Sequence, residues 1–145
     1  MSQEEIVVKI ERLSAEFAHI FQILEEAHDL IWAEDHEAQL LGIIAPLQMI
    51  IRNFSDLSER IAANGFAIKE GRVNRKFEGE RVSNILANLR YVIANNLIEN
   101  WTTSPARLFD WKCFDRVSSI FAEADRRIDV LAHVIRNQFE PADSL

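Results

Sequence analysis

The sequence is poor in the residues that turn a chain tightly or cross-link it. Four glycines and three prolines in 145 residues cannot serve the many turns of a β-sandwich or barrel, so long helices are expected. The single cysteine, Cys113, excludes an intrachain disulfide framework and a cysteine-cluster zinc site, and it fits a reducing compartment. No uncharged apolar run approaches the roughly 18 residues of a membrane-spanning helix. Met1 to Glu5 is acidic where a secretory signal is basic, so a soluble, cytoplasmic chain is expected. Basic residues are outnumbered, 16 Lys+Arg against 23 Asp+Glu for a formal charge of −7, which argues against non-specific attraction to nucleic acid or anionic membrane. Also missing are a Gly-rich phosphate loop, a Gly-x-Ser-x-Gly elbow and a His-Glu-x-x-His pair. No cofactor is expected.

What is present is apolar periodicity. With 48% hydrophobic residues, a chain of this length buries enough surface for one self-sufficient domain over residues 1–145. Ile6, Ile10, Leu13, Phe17, Ile20, Leu24, Ala27 and Ile31 alternate spacings of four and three, predicting a helix from Gln3 to Trp32 with Ser2 as its cap and a turn at Ala33 to His36. Leu40, Ile43, Leu47, Ile50, Phe54, Leu57 and Ile61 form a second stripe ending at Asn64-Gly65. Inside it, Pro46 implies either a kink or a helix that begins there. Periodicity vanishes from Phe66 to Gly79, a basic loop in which Phe66 to Ile68 and Val73 to Phe77 could pair about Glu70-Gly71. Val82, Leu86, Leu89 and Ile93 predict a third helix, Glu80 to Glu99. Ser104-Pro105 opens a short extra helix, and Phe114 to Ile135 carries the last long one, ending near Phe139. The expected class is all-α, an up-and-down four-helix bundle with a short fifth helix between helices 3 and 4.

The charge is concentrated at one place. Glu25, Glu26, Asp29, Glu34, Asp35 and Glu37 fall in thirteen residues without a Lys or Arg. Residues 1–37 hold ten acids and two bases, against thirteen acids and fourteen bases in residues 38–145. Such a patch either solvates a helix face or steers a basic partner. Glu16-x-x-His19 and Glu25-x-x-His28 have the spacing of di-metal bundle ligands, but they flank opposite sides of the apolar stripe and cannot share an interior ion. No metal site is expected. A second feature is aromatic density: Trp101, Phe109, Trp111 and Phe114 beside Arg107 are either an interface anchor or a cap over the bundle end. Asn84, Asn88, Tyr91 and Asn95 share a polar face of the third helix that suits a subunit contact or solvent.

In the last helix, Arg126 or Arg127 followed by His133 resembles the Arg-x(4–6)-His signature of the HEPN ribonucleases. That family consists of dimeric helical bundles, and the resemblance implies His133 as acid/base and one arginine as phosphate binder. The residue after each arginine departs from the family pattern, and Arg12 with His19 has the same spacing. Three function classes follow. The leading one is a non-enzymatic binding protein of the immunity, antitoxin or inhibitor kind, self-associating as a dimer and touching a basic protein partner through the acidic residues, Trp101, Arg107 and Trp111. The second is a metal-independent ribonuclease. The third is a small-ligand or nucleotide-binding bundle using Arg75, Lys76, Arg107 and the tryptophans.

Overall fold

The computed structural model describes the backbone of residues 3–60, 68–69, 72–73, 76–77 and 80–138, and the side chains of residues 8, 11–59 and 83–137. The long helices are α1 (Gln3–Glu34), α2 (Leu41–Arg60), α3 (Val82–Val92) and α6 (Phe114–Gln138). A π-helical segment, Ile93–Ile98, carries α3 without a break into α4 (Glu99–Thr102). The short α5 is Pro105–Leu108. Helix α1 packs on α2 and α6, α3 packs on α6, and the π segment packs on α2 and α6. Cross-seam contacts run in opposite numerical order, as in Phe17 with Phe54 and His28 with Gln48, or Glu16 with Arg127 and Glu26 with Arg116. Both pairs are therefore antiparallel, as are α3 and α6 by Arg90 with Asp125 and Trp101 with Ser118; the fold is all-α, and these contacts fit an up-and-down four-helix bundle.

Both apolar stripes of the first hairpin point inward. Leu13, Phe17, Ile20, Leu24, Ala27 and Ile31 meet Leu40, Ile43, Leu47, Ile50, Phe54 and Leu57, all buried. The turn between them lies two residues later than the sequence suggests, because α1 continues to Glu34. Asp35 makes this turn: its carboxylate accepts the backbone N–H of Gln39 at 2.6 Å and of Leu40 at 3.1 Å. Ala38 takes the left-handed φ of 52°. The second helix begins at Leu41, which removes the alternative start at Pro46. A proline this near the helix start forfeits only the bond to the carbonyl of Gly42, and Gly42 is exposed, leaving that carbonyl to solvent. Its expected end at Asn64-Gly65 falls outside the described residues, as do Ser2 and Phe139.

Two hairpins, not one, separate α2 from α3. Strands β1 (Ile68–Lys69) and β2 (Arg72–Val73) pair with Ile68 opposite Val73, so Glu70-Gly71 separates them as expected. Phe77 does not join that pair: β3 (Lys76–Phe77) pairs with β4 (Glu80–Arg81). This second hairpin takes up Glu80 and Arg81 and delays the third helix to Val82.

The third helix also runs past its expected end. Leu89, Ile93, Leu97 and Trp101 are buried at successive spacings of four. On a helix of 3.6 residues per turn, each such step drifts by about 40°. The wider i→i+5 turns of the π segment, as in Glu99 N–H to the Ala94 carbonyl, absorb the drift and keep all four residues on the core. Trp101 is 1% exposed, lies 5.4 Å from the Phe114 ring, and donates its Nε1–H to Ser118 Oγ at 2.8 Å. Pro105 opens α5 as expected, but Ser104 does not cap it with its side chain; the hydroxyl turns back onto the Trp101 carbonyl at 2.7 Å. Helix α5 ends in a Schellman motif. Asp110 has a φ of 54°, the Trp111 N–H reaches the Ala106 carbonyl at 2.9 Å, and the Asp110 N–H reaches the Arg107 carbonyl at 3.3 Å.

Candidate functional site

The acidic residues of α1 sort by the side of the apolar stripe on which they fall. Glu16 and Glu26 each precede a core position and face α6, where Arg116, Glu123 and Arg127 also each precede a core position. Arg127 donates to Glu16 at 3.0 Å and to Glu123 at 2.9 Å, and Arg116 pairs with Glu26 at 2.6 Å. Hydrogen bonding to Glu123 and then to Glu16 holds the Arg127 guanidinium above its ordinary pKa. The bond from Arg127 holds the Glu123 carboxyl below its own, against desolvation.

At the top of this seam Glu34 accepts the backbone N–H groups of Lys112 and Cys113, both at 2.9 Å, and so caps the start of α6. Burial raises the Glu34 pKa, but hydrogen bonds from Cys113 and from the Lys112 backbone outweigh it and leave the carboxyl below its ordinary value. The same burial, with the Glu34 carboxylate alongside, pushes the Cys113 thiol up to about 12.

These contacts correct the expected partner surface. Glu34 and Asp35 are structural caps, with Asp35 buried, and Glu26 is spent on Arg116. Trp101 is sealed in the core, Trp111 is half-buried against it, and Arg107 donates to the Thr102 carbonyl at 3.2 Å. Of the two readings open for this segment, Trp101 takes that of a cap over the bundle end, while Trp111 stays half-buried and Leu108 and Phe109 are exposed. Arg75 and the side chain of Lys76 lie outside the described residues.

Glu25, Asp29 and Glu37 remain exposed. Asp29 lies 3.3 Å from His28 Nδ1, and Glu37 accepts the Gln39 amide at 3.0 Å. Among the described residues no Lys or Arg pairs with any of the three. Glu25 belongs to a stripe that follows the core positions of α1 by one: Phe21, Glu25, His28 and Trp32. Across the seam, Leu41, Gln48, Ile51 and Ser55 bear the same relation to the core positions of α2, and Arg52 and Glu59 stand one residue further round. Between the two helices an open trough of ≈ 640 Å³ runs from His28 and Gln48 to Glu59, with Phe21 and Ile51 partly buried in its lining and Glu25, Arg52 and Asp56 around it; Trp32 and Leu41 are not part of that lining. His28 crosses the trough to Gln48 at 3.1 Å and stacks on Trp32 with ring centroids 6.2 Å apart. Trp32 is 59% and Leu41 58% exposed, both at the end of this seam. The sequence reading missed Phe21, His28, Trp32, Leu41, Gln48 and Ile51. The signal was a second stripe one residue out of phase with the first, masked because polar and apolar residues alternate in it.

The outer face of α6 carries the ribonuclease candidates. His133 is exposed, with Nδ1 2.8 Å from the Asp129 carbonyl oxygen. Arg126 is exposed on the same face, about 10 Å of helix rise away, with Val130 exposed between them. Arg127 is not part of this face, since both its bonds turn it toward Glu16 and Glu123. Among the described residues no group of three or more His, Cys, Asp or Glu side chains is placed to hold a metal ion, and no helix is long and apolar enough to cross a membrane. Comparison with family models, curated proteins and solved structures finds no match to this chain.

Proposed function

We propose that the protein is a cytoplasmic, non-enzymatic binding protein that engages a basic protein partner through its α1–α2 face. The observation that carries this reading is the exposed carboxylate of Glu25 on the same seam as the exposed apolar side chains Trp32 and Leu41, with Asp29 exposed on the adjoining crest of α1. Exposed carboxylates that no Lys or Arg pairs among the described residues steer association, and a tryptophan in a desolvated contact supplies binding energy. The test uses paired baits, wild type and Glu25→Lys/Asp29→Lys. A protein retained by the wild type, released by salt and lost on the charge-reversed chain supports the reading. Equal capture by both baits removes it.

The enzyme reading rests on a different observation, the shared exposed face of Arg126 and His133. It requires a second copy against Val130 to close a cleft, so a monomeric solution mass speaks against it. Incubation with RNA in chelator decides the chemistry: cleavage abolished by His133→Ala establishes a ribonuclease, and no cleavage ends that reading.

A further inference from the structure

The α1–α2 trough has a shape as well as a charge, and the shape points to one kind of occupant. Its α1 wall, Phe21, Glu25 and His28, steps along the helix at four and three, with Trp32 stacked against His28 at its end, and Gln48, Arg52, Ser55 and Glu59 form the facing α2 wall at four, three and four. A channel between two antiparallel helices is the ridge-and-groove seat of a third helix, and a helix lays its side chains into such a seat at i, i+3, i+4 and i+7. From Gln48 to Glu59 the channel extends about 16 Å, three turns of the guest. Apolar contact is available along the trough from Phe21 and Ile51, and at its end from Trp32 and Leu41. Among the described residues the carboxylates Glu25 and Glu59 and, already engaged in a contact of its own, Asp56 stand around it against the guanidinium of Arg52. On the far side of the α1 crest, a second cleft lined by Gln22, Glu25, Glu26, Asp29 and Leu30 adds acid to the same rim.

Resting on the binding-protein reading above, we infer that the α1–α2 trough is the seat of a basic amphipathic α-helix of about three turns supplied by the partner. The guest's apolar face meets Phe21, Ile51 and Trp32. Its Lys or Arg side chains meet Glu25 and Glu59, and it tolerates an acid only opposite Arg52. The His28 to Gln48 bond crosses the channel and must yield or be covered when the guest enters.

The probe is a Lys/Leu amphipathic peptide of about four turns, with a Glu/Leu counterpart and a scrambled Lys/Leu peptide of identical composition as controls. Calorimetry and amide chemical shifts of the full-length protein report on binding. The inference expects the amphipathic basic peptide to bind at least tenfold more tightly than the scramble and to shift residues 21–32 and 41–59. Binding should weaken about tenfold in Trp32→Ala and in Glu25→Lys, while Glu99→Lys, on another face of the bundle, leaves it unchanged. Thermal midpoints of all three variants should match the wild type, since each side chain is exposed. Equal binding of the scrambled peptide, or equal loss in Glu99→Lys, would mean simple charge attraction and overturns the inference. If the peptide fails while capture of the natural partner still depends on Glu25 and Asp29, the helical guest is wrong and the binding reading stands. If both fail, the reading itself falls.

Discussion

Helix α1 presents acids along both of its seams, and the two seams use them in opposite ways. Toward α6 they are neutralised: Glu16 and Glu26 meet Arg127 and Arg116, and Glu34 caps the incoming helix. Toward α2, Glu25 has no cationic partner among the described residues, and the one polar bridge recorded there is the neutral-capable His28 to Gln48 contact. One seam is closed by charge pairing and the other is left open beside an exposed tryptophan. The difference shows that net charge is a poor guide to an acidic surface. What matters is which side of the apolar stripe a carboxylate falls on, because that fixes whether a neighbouring helix answers it.

The largest effect that can sharpen this contrast comes from the tryptophans. Trp101→Ala should cost about 3–5 kcal/mol in chemical unfolding, whereas Trp32→Ala should stay within about 0.5 kcal/mol; similar losses for both would place Trp32 in the core and close the open seam. Next come the carboxylates themselves. Glu34→Ala should lose about 1–2 kcal/mol as a double cap is removed, while Glu25→Ala should change stability little. Because the Glu34 pKa in the fold lies below its ordinary 4.5, its contribution is present above that value and fades as pH falls through the lowered one. An acid titration of stability should therefore be shallower in Glu34→Gln than in wild type. The smallest effect belongs to the exposed ion pair: Arg116→Ala should cost under about 1 kcal/mol and less still in high salt. A larger loss would show that the closed seam depends on charge, not on the packing beneath it.

The four stripes were legible because each is a periodic run of aliphatic and aromatic residues, and the antiparallel pairing of α1 with α2 follows from the short turn between them. The fate of Trp101 was not, though its spacing of four from Leu97 extends the run Leu89, Ile93, Leu97. A constant step of four drifts off an ordinary helix face, and only the π segment restores it. The aromatic count near Trp101 suggested display, while burial follows phase. Of the expected partner residues, Glu25, Asp29 and Glu37 lie on the surface as read. Glu34 and Asp35 do not, because their partners are backbone N–H groups up to 79 residues away in sequence, which no residue pattern announces. The α1 wall of the trough was readable in principle, since Phe21, Glu25 and His28 are the core stripe advanced by one.

Glu34 and Asp35 are consecutive, yet one carboxylate fastens the start of α6 and the other shapes the entry to α2. A single peptide unit thus indexes two connections at the same end of the bundle. Lengthening either loop by one residue rotates the shared anchor and disturbs the other. The other end of α2, at Arg60, lies a full helix length away from this clasp.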